Sequence, residues 1–196
     1  MPAFVYPPEM TLGEARARYF ELNNFGSDGG YDERWIKVKV WRIPIWLPNT
    51  AGRVRAVKLH DIHHVLTEYP TTWRGEAEIS AWELGSGGLN KYYAGWVLDV
   101  LNMAQGLVVN PSGLYRGFIR GRQSKNLFST QFTDEILDHQ VGEYRRLLEL
   151  ESVPDNATIY DNILFVGWAV ISVTAYFVAV APLWLPVLIA LWILWR

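Results

Sequence analysis

A mainly α-helical bundle with a small β-hairpin, followed by a C-terminal membrane anchor, is the fold that three features of the sequence predict. Helix-start signals recur along the first 156 residues: Thr11-x-x-Glu14, Asn49-Thr50, Thr71-Thr72 and Thr133 each precede apolar residues at helical spacing. Residues 35–47 alternate apolar and polar in the manner of a strand. The chain then changes character: no acid follows Asp161, and Asn162 to Trp195 carries no charge at all. These features divide the 196 residues into a helical domain over 1–156 and an anchor over 157–196. The net charge of −2 offers no basic surface, so no nucleic-acid partner is expected. The absence of cysteine excludes disulfides, thiolate zinc sites and a cysteine nucleophile.

The elements follow in order. Met1 to Met10 holds a Pro-Pro pair and no basic residue, so it is neither signal nor transit peptide. The capping box Thr11-x-x-Glu14 predicts a helix over Leu12 to about Leu22. Asn23 to Arg34, with Gly26 and Gly29-Gly30, reads as a flexible loop; it lacks the Lys-Ser/Thr ending of a phosphate-binding loop. Pro44 limits the alternating stretch to an edge strand or a short hairpin. Asn49 or Thr50 caps a helix over about Arg53 to Glu68, with Val54, Leu59, Ile62 and Leu66 as apolar contacts. Pro70 breaks it, and a second helix runs from about Trp73 to Leu84, stopped by Gly85-Ser86-Gly87-Gly88.

Asn90 to Val109 repeats Tyr93, Trp96, Val97, Val100, Leu101 and Ala104 at helical spacing, as a core helix does. A second face of Tyr92, Trp96 and Met103 is a candidate lining for a lipid groove. Arg116, Arg120, Arg122 and Lys125 form a basic segment, either solvated or facing phosphates or a substrate carboxylate. Thr133 opens a last soluble helix to about Leu150, with Ile136, Val141, Tyr144 and Leu148 inward, and Glu151 to Asn156 is a polar linker. Asn162 to Ala181 is long enough, at roughly 30 Å, to cross a bilayer core. Pro182 and Pro186 interrupt the pattern, so the anchor reads as one spanning helix plus a shorter hydrophobic segment, Leu183 to Trp195. Arg145, Arg146 and the basic segment place the body on the cytoplasmic side.

The chemistry concentrates in His60-Asp61-Ile62-His63-His64 and in Glu76, which falls in the first turn of the next helix. His60 and His64, four apart, point the same way, and Asp61 sits one step round. Two imidazoles and two carboxylates on facing helices make a mixed nitrogen/oxygen site for a divalent metal, with zinc the expected ion and His60, Asp61, His64 and Glu76 the ligands. Arg53 extends the histidine face by two turns, Glu83 follows Glu76 on its helix, and His63 lies off the His60/His64 line. These three are candidates to support the ligands or meet a substrate. Two other patterns compete. A metalloprotease helix would need the shorter Asp61 in place of the usual glutamate base, and a di-iron hydroxylase needs more histidines than the four present.

The third pattern, His60-Asp61-x-x-His64 followed after eleven residues by Glu76, resembles the metal motif of the coenzyme Q biosynthesis protein 4 family. Arg53-Val54-Arg55-Ala56, His64-Val65-Leu66-Thr67 and Gly75-Glu76-Ala77-Glu78 strengthen the resemblance, which covers about residues 10–150 and is specific over 50–90. It implies action in the biosynthesis of ubiquinone or a related prenyl lipid, on a polyprenylated aromatic acid at the ring carbon bearing the carboxyl group. Such a metal-dependent oxidative decarboxylation would exchange carboxyl for hydroxyl. It also implies a prenyl lipid or quinone precursor as ligand, and other biosynthetic proteins as partners at the membrane. The hydrophobic tail departs from the family's pattern. A membrane-anchored metallohydrolase, with Asp61 or Glu76 as base, and a non-catalytic scaffold with a structural metal are the alternatives.

Overall fold

The computed structural model describes residues 6–40, 43–151 and 156–195. Helix α1, Leu12–Asn23, starts at Thr11 with both halves of the capping box formed and ends where Asn24 turns left-handed. Strands β1, Trp35–Val40, and β2, Ile43–Pro48, pair antiparallel, Trp35 opposite Pro48 and Val40 opposite Ile43. Pro44 is tolerated because a two-stranded ribbon leaves each strand an unpaired edge. The glycine-rich loop before the hairpin is not left loose. The Asn49 side-chain amide donates to the carbonyls of Gly30, Tyr31 and Glu33, and so draws the loop onto the start of the next helix.

That helix, α2 (Ala51–Thr67), is capped by the Thr50 hydroxyl. Its last carbonyls would be orphaned. Arg145 donates to the carbonyls of Val65 and Leu66 at 3.3 and 3.1 Å, and Arg120 to that of Thr67 at 3.0 Å. Two residues of the basic stretches thus hold the end of the motif helix, where a cation also suits the helix dipole. Helix α3, Trp73–Gly85, is capped by Thr72. Helix α4 is Tyr93–Val109, and α5 is Pro111–Arg122, with Pro111 at its first position and Asn110 accepting from the Gly113 amide. The core gathers Leu59, Ile62 and Leu66 of α2, Ile79 and Trp82 of α3, Met103 of α4, and Leu114 and Phe118 of α5.

Helix α5 was legible in the sequence only as a basic segment. Its glycines make it a close-packing helix: Gly113, Gly117 and Gly121 recur every fourth residue against α3. A Cβ on Gly117 would stand 2.6 Å from the Glu78 carbonyl oxygen, and one on Gly121 2.3 Å from that of Trp82. Both obstacles are backbone, which cannot yield as a flexible side chain does. Gly117→Ala should therefore cost about 1–3 kcal/mol by overpacking, read as a lowered Tm. An unchanged Tm would mean that the two helices separate freely.

Three expectations need correction. Tyr93 and Val97 of α4 are exposed, and the inward face is Asp99, Val100, Met103, Ala104 and Gly106. The helix is apolar nearly all round, so periodicity alone does not say which side is inside; the packing of Met103 and the inward turn of Asp99 decide it. The helix expected over Thr133 to Leu150 is two pieces, a 3-10 turn at Asp134–Asp138 and α6 at Val141–Leu147. Between them His139 and Gln140 are extended because the backbone pairs with the N-terminal segment: Leu12 N–H donates to His139 O and Val141 N–H to Met10 O. The tail is one helix, α7 (Ile159–Trp195), running through Pro182 and Pro186 without a break. Residues 152–155 of the expected linker lie outside the described residues.

One stretch of α7, Ile159–Pro182, is long and apolar enough to cross a membrane, with mean hydropathy 2.3 and 6% of it buried. Its first turns nevertheless pack on the body. Trp168 stacks on Trp96 of α4, with centroids 5.5 Å apart, and Phe165 meets Tyr115 and Phe118 of α5. Arg122 pairs with Asp161 at 3.0 Å.

Candidate metal centre

Helices α2 and α3 face each other with their ligand-type side chains turned inward. His60 Nε2 and His64 Nε2 lie 3.1 Å apart. The Glu76 oxygens lie 3.6 Å from the first and 3.4 Å from the second. Two ligand atoms about 2.0–2.1 Å from one tetrahedral zinc stand about 3.3 Å apart. The three residues therefore already hold the separations that one small cation requires, and among the described residues they form one of two groups with all ligand atoms within 4.8 Å of one another.

The far nitrogens fix what the near ones can do. His64 Nδ1 lies 2.8 Å from the Tyr69 carbonyl oxygen, which can only accept, so Nδ1 carries the proton. His60 Nδ1 lies 2.9 Å from Glu83 Oε1 and donates in the same way. Each ring then turns an Nε2 lone pair toward the other. Such an arrangement repels itself unless a proton or a metal ion sits between the rings. Carboxylate–histidine and carbonyl–histidine pairs of this kind are how metal-ligating imidazoles are oriented.

The electrostatics agree. Burial would lower the His60 pKa, but Glu83 and Glu76 outweigh it and hold the ring well above its ordinary value. Burial would raise Glu76 and Glu83; the facing histidines prevail and hold both carboxyls well below the usual carboxylate range. The pocket is built to attract positive charge.

Asp61 is not part of this group. One step along a helix turns a side chain about 100°, and the Asp61 carboxylate faces α1 instead. It accepts from Tyr31 Oη at 2.6 Å and, weakly, from Tyr19 Oη at 3.5 Å. Tyr19 in turn stacks on the His64 ring. Asp61 thus braces the outer side of the pocket.

His63 and Glu83 are buried beneath it. Glu83 Oε1 accepts from both His60 Nδ1 and His63 Nδ1, the latter at 2.7 Å, while His63 Nε2 accepts from the Leu127 amide at 2.9 Å. Burial lowers the His63 pKa, with Glu83 opposing. His63 is a neutral ring that ties the loop after α5 to the site. Arg53 holds Asn49 by Nη1 at 2.7 Å, and its Nε is buried without a partner.

Asp99 escaped the sequence reading. With His60 and Glu83 it forms the second group. Burial, and then the neighbouring Glu83, pushes its pKa well up. Glu83 Oε2 and Asp99 Oδ2 are both buried, and the two carboxyl groups lie against each other. A second ion there would have to take His60 Nδ1 away from Glu83, and Asp99 bears on His60 through Glu83, its neighbour. Its signal in the sequence is that it is the one charged residue of α4.

If Glu83 orients His60, Glu83→Gln should weaken metal binding about 10- to 100-fold with the helices intact. Competition with a chelator at fixed pH reads this directly; an unchanged affinity would remove Glu83 from the site.

Comparison of the chain with protein-family models, curated proteins and solved structures found no match.

Proposed function

We propose that the protein is a membrane-anchored, metal-dependent enzyme of ubiquinone or related prenyl-lipid biosynthesis. Its reaction exchanges the carboxyl of a polyprenylated aromatic acid for hydroxyl. The observation that carries the metal is the convergence of two imidazole lone pairs and one carboxylate, each ring held from behind. The motif resemblance carries the substrate class, and α7 supports the membrane setting.

In this reading the bound metal, zinc by its ligand set, supplies a Lewis acid for an oxygen of the head group. Glu76 and the two histidines position it. The unpartnered Arg53 Nε–H, on the histidine-bearing helix, suits a substrate carboxylate. His60 and Glu76 stay partly exposed, which leaves a head group a way in. The bond between ring carbon and carboxyl breaks with release of carbon dioxide, and a ring C–O bond forms. That is a net two-electron oxidation: one atom of dioxygen enters the ring, and the other leaves as water with two electrons and two protons from an external two-electron reductant of the reduced-nicotinamide or reduced-flavin class. The body lies on the cytoplasmic side, as the basic residues suggest.

A hydrolase is less well supported, because both Asp61 oxygens face tyrosine hydroxyls and Glu76 sits among the ligand atoms. The test uses metal-loaded protein in lipid vesicles, with dioxygen, a two-electron reductant and a polyprenylated hydroxybenzoate labelled in its carboxyl carbon. Metal-dependent release of labelled carbon dioxide, with oxygen from dioxygen entering the ring, is expected. Metal-dependent cleavage of esters or amides instead would establish the hydrolase. No turnover, with binding of other biosynthetic proteins retained, would establish the scaffold.

A further inference from the structure

Helix α4 has two unlike sides. The inner side carries Asp99 to the metal centre. The outer side exposes Tyr93, Val97, Leu98 and Val108, with Tyr93 78%, Val97 60% and Val108 83% accessible. No charged residue interrupts this stripe, since Asp99 is the helix's one charge and is buried. Tyr93, Val97 and Leu98 open this side at the start of α4 and Val108 opens it again at the end, and large apolar side chains this accessible call for a covering medium.

What covers the strip follows from its neighbour. Helix α7 packs against α4 through the Trp96–Trp168 stack. On the side of α7 turned away from that contact, Ile163, Val166 and Val170 are exposed. The Trp96–Trp168 stack sets this part of α4 level with the exposed turns of α7, so a medium that surrounds those turns also reaches the open residues of α4. The uncharged run Asn162–Trp195 is 34 residues, or about 51 Å of helix. A bilayer with its head groups is about 40–45 Å thick. Keeping the whole run out of water therefore inclines the helix by about 30°, within the observed range of tilts. The apolar window Ile159–Pro182 includes the turns that lie against the body, so those turns call for lipid too. Lys91 and Tyr93 at the start of α4 have the chemistry of the head-group layer.

We propose that α4 is a second lipid-contacting element, with its outer stripe seated in the interfacial layer of the bilayer that α7 crosses. The proposal rests on the membrane reading of α7. It deepens the proposed function: the metal centre then stands one helix away from the acyl chains, and an apolar substrate reaches it without crossing water.

The chain has no native cysteine, which makes the test direct. Val97→Cys, Val108→Cys, Val170→Cys on α7 and the exposed control Arg18→Cys are each labelled with a nitroxide. The full-length protein is placed in vesicles of phosphatidylcholine and phosphatidylglycerol. Accessibility to dioxygen, which concentrates in lipid, and to a water-soluble nickel chelate is measured by power saturation. The labels at 97 and 108 should favour dioxygen over nickel clearly more than the label at 18, which favours nickel, and less than the deeper label at 170. If 97 and 108 behave like 18 while 170 is lipid-like, α4 lies in water and the proposal falls with the anchor intact. If 170 is also water-like, the membrane reading fails and takes the proposal with it. Shielding of 97 and 108 from both reagents, with spin–spin broadening that vanishes on dilution with unlabelled protein, would assign the strip to a second copy and overturn the proposal.

Discussion

His64→Ala should empty the metal site. The wild-type protein, purified without chelator, is expected to hold about one divalent ion per chain, and the variant close to none. Structural zinc sites bind with about 10–16 kcal/mol, spread over about four ligands. Losing one ligand is thus worth about 3 kcal/mol, or a factor on the order of 100 in affinity. The variant also loses the ring that stacks on Tyr19 and donates to the Tyr69 carbonyl. Because metal binds only the folded chain, the stabilisation seen on adding metal should vanish as well. Asp61→Asn separates the sequence expectation from the structure. Asn still accepts from Tyr31, so affinity should fall less than tenfold if Asp61 is a brace. A loss as large as that of His64→Ala would make Asp61 a ligand. Metal content unchanged in His64→Ala, measured by elemental analysis, would sink the site altogether.

What the sequence disclosed, and what it hid, follows the range of the interactions. Thr11, Thr50 and Thr72 cap helices within three residues of themselves, so those starts are legible from local spacing. The pairing of His60 with His64 is equally local. Bringing Glu76 opposite them needs one tight turn, which Pro70 and Thr72 signal. Asp61 misleads because adjacency in sequence is not adjacency on a helix face. Asp99 is hidden because its neighbours, His60 and Glu83, come from two other helices, and tertiary packing alone unites them. The split before α6 is likewise non-local, since it depends on the Thr11 segment, more than a hundred residues earlier. The continuity of α7 through two prolines runs against local propensity, but an uncharged helix gains nothing by exposing backbone in an apolar medium.

The seam between α7 and the body makes a second large effect. A chain ending at Tyr176 should fold, and one ending at Asn156 should not. The first keeps Phe165 against Tyr115 and Phe118, Trp168 on Trp96, and the pair of Arg122 with Asp161. It loses only the turns of α7 beyond these contacts. The second strips all three away and bares Phe118, which is fully buried in the whole protein. Burying a large apolar side chain stabilises by about 1.5–3 kcal/mol. Phe165, Trp168, Leu164 and Ala169 are partly buried against the core, so their joint loss is on the order of 5 kcal/mol. Domains of this size are stable by only about 5–15 kcal/mol in all. The shorter chain should therefore lose its cooperative thermal transition and its near-ultraviolet circular dichroism while keeping much of its helix signal. The chain ending at Tyr176, compared in the same mild detergent, should melt within a few degrees of the full-length protein. A domain boundary at 156/157, as the change in composition suggests, requires the opposite: equal melting of both chains. That outcome would show that α7 merely rests on the body. Sharp melting of the longer chain alone would make its first turns part of the fold that holds α4, and with it Asp99, against the metal centre.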